Sequence, residues 1–311
     1  MNSINEVQKF FNESIAPNMD GSHEKVLLSK KLNKYLLWAI LILFISMLFK
    51  YTPLVYLSLS FIFVFLFIKF IEKKPEESKY KQNFLSPILK NMDTRYKFKR
   101  HGSIDYQFFR ASGFIGIRSY KYKSSSLLTF EDKNFTIQYA NTDIFIRNDE
   151  GEREHVFKGL FAYSRLNMNL KGRTILLPDF AEKKFGFVGQ GMQFDSLSST
   201  LKKVRLDSNL FEKEFVVYST DIVEAHYILT HTVMEGLTNL FKKYNTKLFL
   251  SFSDDYIYIL GFNGGVFNSK TYASSVKFEA IKRDFELIFL VRDIVEEFYH
   301  HHLLEHKNKS I

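Results

Sequence analysis

Two long apolar runs near the N-terminus constrain this chain more than any other feature. Residues 35–49 read YLLWAILILFISMLF and residues 51–68 read YTPLVYLSLSFIFVFLFI, with Lys50 between them and Lys69 after them. A membrane-spanning helix needs about 20 mainly apolar residues, and lysines at its ends can extend to the lipid–water interface. A buried soluble hairpin is the alternative, but soluble helices of this length rarely lack a polar face. The runs therefore predict a transmembrane hairpin over residues 35–71, with helices at 35–50 and 53–71.

The connection between the two runs sets their relative direction. Thr52-Pro53 interrupts the helical pattern, because proline disfavours helix at the preceding residue and suits the first turn of the next helix. A connection this short requires the second helix to return antiparallel to the first. Both outer ends of the hairpin are therefore expected on the same side of the membrane.

Basic residues predict which side that is. Nine lysines lie within about 15 residues of the outer ends, whereas the connection has only Lys50. Loops rich in Lys and Arg stay on the cytoplasmic side, which predicts a two-pass inner (plasma) membrane protein with both termini cytoplasmic. The same lysines would attract anionic lipid. The residues assigned to these two roles are Lys30, Lys31, Lys34, Lys69, Lys73 and Lys74.

The apolar runs are also free of the groups that transport requires. Neither run contains Asp, Glu, His or Arg. Transport paths and proton relays usually place such groups near the middle of the membrane. The hairpin is therefore interpreted as an anchor, with a role in oligomerisation left open.

Cysteine content and charge exclude several functional classes. The chain has no cysteine, which excludes disulfides, thiolate metal sites and a cysteine nucleophile. The net charge of +9 divides into +3 over residues 1–71, +5 over 72–100 and +1 over 101–311. Nucleic-acid binding needs a basic footprint on the folded domain. We therefore predict the lipid bilayer, and not nucleic acid, as a partner.

The rest of the chain predicts three segments and an α+β fold. Residues 1–34 form a cytoplasmic helical segment, residues 72–103 a basic helical stalk, and residues 104–311 a cytoplasmic domain. Strand patterns precede helix patterns in that domain, which favours a β-rich, mainly antiparallel fold with late helices. The predicted helices cover 4–15, 84–96 and 280–304, and the predicted strands cover 136–139, 144–146, 156–163, 174–177, 214–218, 247–252 and 256–262, with a loop over 181–203.

Two short motifs predict helix starts and allow one alternative in chemistry. Asp221 with Glu224, and Thr232 with Glu235, fit the capping box, in which two side chains satisfy free backbone donors. The nearby residues His226 and His231 would form an acid–base group if they joined Asp221 and Glu224. Capping and helix-surface roles are the other interpretation of the same residues.

Histidines near the C-terminus are the metal candidates. His302 and His306 are four residues apart, a spacing that puts both on one helix face and suits a divalent metal. The alternative is a solvated helix end. The glycine run GFVGQG at 186–191 lacks the strand-to-helix context of a dinucleotide site. The sequence therefore predicts no cofactor and no catalytic residue.

Three stretches carry a family resemblance. The first reads FFRASGF over 108–114, the second pairs FKGLF over 157–161 with LKGRTILLPD over 170–179, and the third reads FEKEFVVYSTDIVEAHYILT over 211–230. Together they resemble the bacterial membrane proteins catalogued as domain of unknown function 3137. The resemblance implies an inner-membrane protein with a cytoplasmic domain, and it implies no known activity. It also suggests LemA-type membrane proteins as partners.

These observations favour a non-enzymatic function. We expect a membrane-anchored binding or scaffold module whose cytoplasmic domain binds a partner protein. A membrane-surface enzyme with an active site not located by the sequence is one alternative. A sensor of lipid or envelope stress is the other.

Overall fold

The computed structural model describes most of the chain outside the predicted membrane segment. It covers residues 4–19, 86–115, 120–147, 151–179, 201–246, 248–261 and 278–308, with isolated positions between 38 and 64. The chain divides into two units, one of residues 1–88 and 268–281 and the other of residues 89–267 and 282–311. The second unit contains the sheet described below.

The first unit begins with a helix, as the apolar spacing over 4–15 predicts. Helix α1 covers Ile4–Phe10 and continues as a π-helical turn, Phe11–Ile15, and a 3-10 turn, Ala16–Met19. Val7 and Phe11 are buried, and the ring centroid of Phe11 lies 5.6 Å from that of Phe278. The apolar face of this segment is therefore packed against protein.

The predicted hairpin lies almost entirely outside the described residues, as do the six lysines assigned to topology. The positions described within it, 38, 40, 53, 56, 59, 60 and 62–64, are helical. Within the described part of the chain, no helix is long and apolar enough to cross a membrane. The large apolar side chains exposed at the described positions are Trp38, Ile40, Tyr56, Leu59, Phe63 and Val64.

The second unit contains one nine-stranded sheet in which every neighbouring pair is antiparallel. Its order is β1-β2-β3-β4-β9-β8-β5-β7-β6. The strands are β1 Tyr96–Lys99, β2 Lys121–Glu131, β3 Thr136–Arg147, β4 Arg153–Arg165, β5 Arg173–Pro178, β6 Lys202–Val204, β7 Phe215–Ser219, β8 Phe249–Ser253 and β9 Tyr256–Gly261.

Helices precede, interrupt and follow the strands. They are α2 Ser86–Met92, α3 Tyr106–Ala111, α4 Asn209–Glu212, α5 Ile222–Ile228, α6 His231–Tyr244 and α7 Phe278–Asn308. The longest, α6 and α7, come after most of the strands. The prediction of an α+β fold with a large antiparallel sheet and late helices is therefore confirmed.

Successive side chains of a strand point to opposite faces of the sheet, so both faces present apolar residues. Helices cover parts of both faces. On one face, the ring of Phe109 from α3 packs edge-on against Phe161 of β4 at 5.1 Å. On the other face, Phe252 of β8 meets Phe298 of α7 at 4.8 Å, and the Tyr139 hydroxyl donates to the Ile288 carbonyl oxygen at 3.5 Å. We call these the α3 face and the α7 face.

Several local predictions need correction. The helix predicted over 84–96 ends at Met92, because Tyr96 starts β1 and pairs with Phe130 of β2. Residues 106–111, which lie in a region predicted to have β character, form α3 instead, capped by Asp105, whose side chain accepts from the Gln107 amide. The strands predicted at 136–139 and 144–146 are one continuous strand, β3.

The second predicted capping box is also wrong by two residues. Helix α6 starts after Thr230, whose hydroxyl accepts from the Val233 amide, and Thr232 lies inside the helix. A further strand, β6, lies at the end of the segment predicted as a loop.

Candidate functional site

The three stretches that carry the family resemblance meet at one junction beside β5. The backbone amides of Lys171 and Gly172 donate to the two carboxylate oxygens of Glu224, at 2.8 and 2.7 Å. The Arg173 amide donates to the Thr220 hydroxyl at 2.8 Å, and the Thr220 amide donates back to the Arg173 carbonyl at 3.0 Å. The second stretch is therefore joined to the third by three bonds from backbone amides to side chains and one bond between backbone groups.

The first stretch reaches the same junction through the Arg173 side chain. Its guanidinium donates to the Ala111 carbonyl oxygen at 3.0 Å, at the end of α3. The Ser251 hydroxyl of β8 donates to the next carbonyl, that of Ser112, at 2.6 Å. Arg173 and Ser251 therefore fix the C-terminal end of α3 on the sheet.

Two glycines, Gly113 and Gly172, lie so close to the side chains of this junction that a Cβ would collide with them. Gly113 has φ +67, and a Cβ built there would lie 2.4 Å from a terminal nitrogen of Arg173. A Cβ at Gly172 would lie 2.8 Å from the Thr220 hydroxyl and 3.0 Å from a Glu224 carboxylate oxygen. The glycines of the ASG and KGR segments are thus explained by close packing at the Arg173 junction.

Helix α3, held in this way, packs against two groups of aromatic rings, which are joined through the buried rings of Phe109 and Phe161. Tyr106 lies 5.8 Å from Tyr120 and 5.6 Å from Tyr122, measured between ring centroids. Phe108 stacks on Tyr163 at 4.2 Å and meets Tyr256 edge-on at 5.8 Å. We call this set the aromatic strip: Tyr106, Phe108, Tyr120, Tyr122, Tyr163 and Tyr256.

The strip is partly open to solvent and uncharged. Tyr106 is 43% exposed and Tyr163 is buried, whereas the other four rings are half-buried. Burial raises the pKa of Tyr163 to about 12 and also raises that of Tyr122, so both phenols stay protonated at neutral pH. Exposed aromatic rings with neutral hydroxyl groups are typical of protein interfaces.

A second concentration of polar groups lies where α7 meets α6. The carboxylate of Asp293 accepts from the Tyr244 hydroxyl at 2.7 Å, the Lys243 ammonium at 3.1 Å and the Arg292 guanidinium at 2.8 Å. Arg292 also lies 3.8 Å from Glu296, whose pKa is raised by burial and partly lowered again by Arg292. These contacts tie α7 to α6, so we assign the cluster a structural role.

A cavity of about 320 Å³ lies beside the edge strand β6. Its polar lining is balanced in charge, with Asp179 and Glu212 facing Lys203 and Arg205. Glu212 already accepts from the Leu206 amide at 2.7 Å. The lining therefore gives no preference for an anionic or a cationic ligand.

The carboxylates of Asp221 and Glu224, the acidic members of the acid–base alternative, bind backbone amides of a helix start and a turn. Asp221 caps α5 by accepting from the Val223 and Glu224 amides, as the capping interpretation predicts. Glu224 does not bond back to that helix start, as a capping box would require, but holds the turn at Lys171 and Gly172. His226 and His231 are exposed.

The metal candidates lie on one helix, as their spacing predicts. His302 and His306 both belong to α7, and their side chains lie outside what the structure describes. One turn earlier, His301 lies 3.6 Å from Glu297. Among the described residues, no three His, Asp or Glu side chains are grouped to hold a metal ion. The glycine run at 186–191 lies outside the described residues.

Sequence reasoning missed the aromatic strip and the Arg173 junction. The pairs Tyr120 with Tyr122 and Tyr256 with Tyr258 have the two-residue spacing that puts rings on one strand face, and this signal was available. The junction had no such signal, because it depends on the pairing of β5 with β7 and β8.

Fold and site together define an α+β domain with an antiparallel nine-stranded sheet, and part of this domain is similar to a known family. Residues 155–299 match the model of a family described as protein of unknown function (DUF3137). The match confirms, over these residues, the resemblance to domain of unknown function 3137. FFRASGF at 108–114 lies before the matched residues.

The other comparisons add no function. No curated protein sequence matches this chain. The crystal structure of the mycobacterial trehalose monomycolate transport factor A, TtfA, is similar over 63% of this chain and 88% of that chain, with 8% identity and a TM-score of 0.32. A TM-score of that size carries no argument about fold or function.

Proposed function

We propose that this chain is a module anchored in a cell inner membrane by a two-helix hairpin, with a cytoplasmic domain that binds a partner protein. The proposal of an anchor rests on the exposure of large apolar side chains at the described helical positions between residues 38 and 64. Tyr56 is 74% exposed, Phe63 71% and Trp38 56%. Soluble surfaces rarely expose such groups together, whereas lipid would cover them.

The distribution of charge supports the orientation. Lysines flank the outer ends of the two apolar runs, which favours retention of these ends on the cytoplasmic side. The basic residues Lys30, Lys31, Lys34, Lys69, Lys73 and Lys74 therefore act in topology, and they attract anionic lipid at the same time.

The aromatic strip supports binding as the task of the domain. Its rings are rigid and amphipathic, so they lose little conformational freedom on contact with a partner. The Arg173 junction holds α3, which presents Tyr106 and Phe108, so the surface is preformed and its ordering cost on binding is low. We propose a membrane protein as the partner, with LemA-type proteins as the first candidates.

Photocrosslinking tests the partner surface in the full chain. With p-benzoylphenylalanine in place of Tyr106, we expect one discrete adduct with a membrane protein in native membranes, and we expect Tyr256→Ala to reduce its yield. The matched control carries the same crosslinker at Val223, which is 79% exposed on α5. Equal adducts from both positions, or none from Tyr106, would contradict the proposal and favour the enzyme or sensor alternatives.

A further inference from the structure

Basic side chains form an ordered patch on the α7 face, at the end of the sheet where β2 begins. In the register of β2, β3 and β4, Lys121 lies opposite Phe145, which lies opposite His155. In the next row, Lys123 lies opposite Asp143, which lies opposite Lys158. Neighbours in register share a face, so these residues form one surface.

This surface lies on the opposite side of the sheet from the aromatic strip. Tyr122 and Ile144 alternate with the patch residues along β2 and β3, and both belong to the α3 side: the Tyr122 ring lies 5.4 Å from Phe109, and Ile144 lies in the same core cluster. The patch and the aromatic strip can therefore each bind a separate partner at the same time.

Phe145 organises the cations of the patch. It is only 4% exposed, and the Lys123 ammonium and the Arg153 guanidinium lie 5.6 and 4.9 Å from its ring centroid. The face of the ring attracts both cations and so keeps them on this surface. Lys121, Lys123, Arg153 and Lys158 are all exposed. We call Lys121, Lys123, Arg153 and Lys158 the basic patch.

The charge balance of the patch favours an anionic partner. Four permanent cations accompany one carboxylate, Asp143, which already lies 2.7 Å from a ring nitrogen of His155. Lys121 and Lys123 lie two residues apart on the same face of β2, where like charges repel one another, and a negative surface relieves that repulsion. The side chains stand on a sheet face and not in a pocket, which suits an extended charged surface.

From this geometry we infer that the basic patch contacts the anionic lipid headgroups of the membrane in which the chain is anchored. The inference rests on the proposed function, because the anchor keeps the domain close to the bilayer and makes weak contacts effective. Each lysine near an anionic surface favours contact about five-fold, so neutralising three lysines reduces contact roughly 100-fold. Contact of this kind would orient the domain while the aromatic strip stays free.

Site-specific fluorescence quenching in nanodiscs tests the contact with the full chain. The chain has no cysteine, so Ser125→Cys beside the patch and Thr136→Cys on β3 each accept one fluorophore. The discs contain phosphatidylcholine with or without phosphatidylglycerol, plus a lipid that carries a nitroxide on its headgroup. We expect phosphatidylglycerol to increase quenching at position 125 and not at 136, and we expect high salt to remove the increase.

Charge variants decide between patch binding and general attraction. Replacement of Lys121, Lys123 and Lys158 by Gln should abolish the increase, replacement by Arg should retain it, and the matched Gln replacement of exposed Lys133, Lys213 and Lys242 should leave it unchanged. Equal quenching with and without phosphatidylglycerol, or equal loss in both Gln variants, would overturn the inference. If the patch variant lost the Tyr106 adduct and kept the quenching, the patch would serve a protein and the inference would be wrong. Failure of the chain to enter the discs would contradict the proposed anchor, which is a distinguishable result.

Discussion

Gly159→Ala should destabilise the native sheet more than any other substitution considered for this domain. A Cβ at Gly159 would lie 2.0 Å from the carbonyl oxygen of Gly261, which belongs to the neighbouring strand β9. β4 is hydrogen-bonded to β3 and β9, and β9 is hydrogen-bonded to β4 and β8. Neither β4 nor β9 can therefore move away from the other without breaking hydrogen bonds to its second neighbour. We expect a loss of more than about 4 kcal/mol in the free energy of unfolding. Urea unfolding of the full chain in detergent, followed by circular dichroism, would measure it.

Gly151→Ala is the matched control for this substitution. Gly151 has φ +79, but nothing lies within 4 Å of a Cβ built there. The control should therefore cost only the left-handed backbone strain of about 1–2 kcal/mol. Similar losses in the two variants would show that the close approach of β4 and β9 is not what excludes a side chain at Gly159.

Arg292→Ala should give the second largest loss of stability. The Arg292 side chain is 10% exposed and pairs with Asp293 and Glu296, at 2.8 and 3.8 Å. Its removal leaves two carboxylates in a partly desolvated position with fewer positive neighbours. Removing one partner of a buried ion pair costs about 3–5 kcal/mol, and we expect a value in that range from the same urea unfolding measurement.

Arg165→Ala provides the comparison with an exposed ion pair. Arg165 lies 2.7 Å from Asp255, but its side chain is 61% exposed. Water screens such a pair, so the unfolding midpoint should change little. A midpoint that moved equally in both arginine variants would contradict the structural role assigned to the α7 cluster.

Local sequence patterns predicted the elements whose signals are strong and contiguous. The final helix, predicted over 280–304, covers Phe278–Asn308, and the strands predicted over 247–252 and 256–262 form β8 and β9. Asp221 caps α5, because an acceptor placed just before a helix satisfies free backbone donors wherever the helix packs. These features need little knowledge of tertiary structure.

Elements that depend on distant partners could not be predicted in the same way. Strand patterns dominate the first half of the predicted domain, yet Asp105 caps a helix there, and Arg173 and Ser251 hold its C-terminal end. Glu224 has the position of a capping-box residue, but the turn at Lys171 and Gly172 takes its carboxylate. The register of β5 with β7 decides these contacts, and no local pattern specifies that register.

The fold gives a structural role to residues of the three stretches that carry the family resemblance. Gly159 of FKGLF and Gly172 of KGRT lie where a Cβ would meet backbone or side-chain atoms. Arg173 connects the second stretch to the first, and Thr220 and Glu224 connect it to the third. These residues build the scaffold that positions the aromatic strip, which we propose as the partner-binding surface of the domain.

Labelling of single cysteines in intact cells tests the central claim of an anchored cytoplasmic domain most directly. Thr52→Cys would probe the connection of the hairpin and Thr136→Cys the domain, in a chain that otherwise has no cysteine. A membrane-impermeant maleimide should label position 52 from outside the cell, and should label position 136 only after the membrane is permeabilised. Labelling of position 136 in intact cells, or identical labelling of the two positions, would contradict the account.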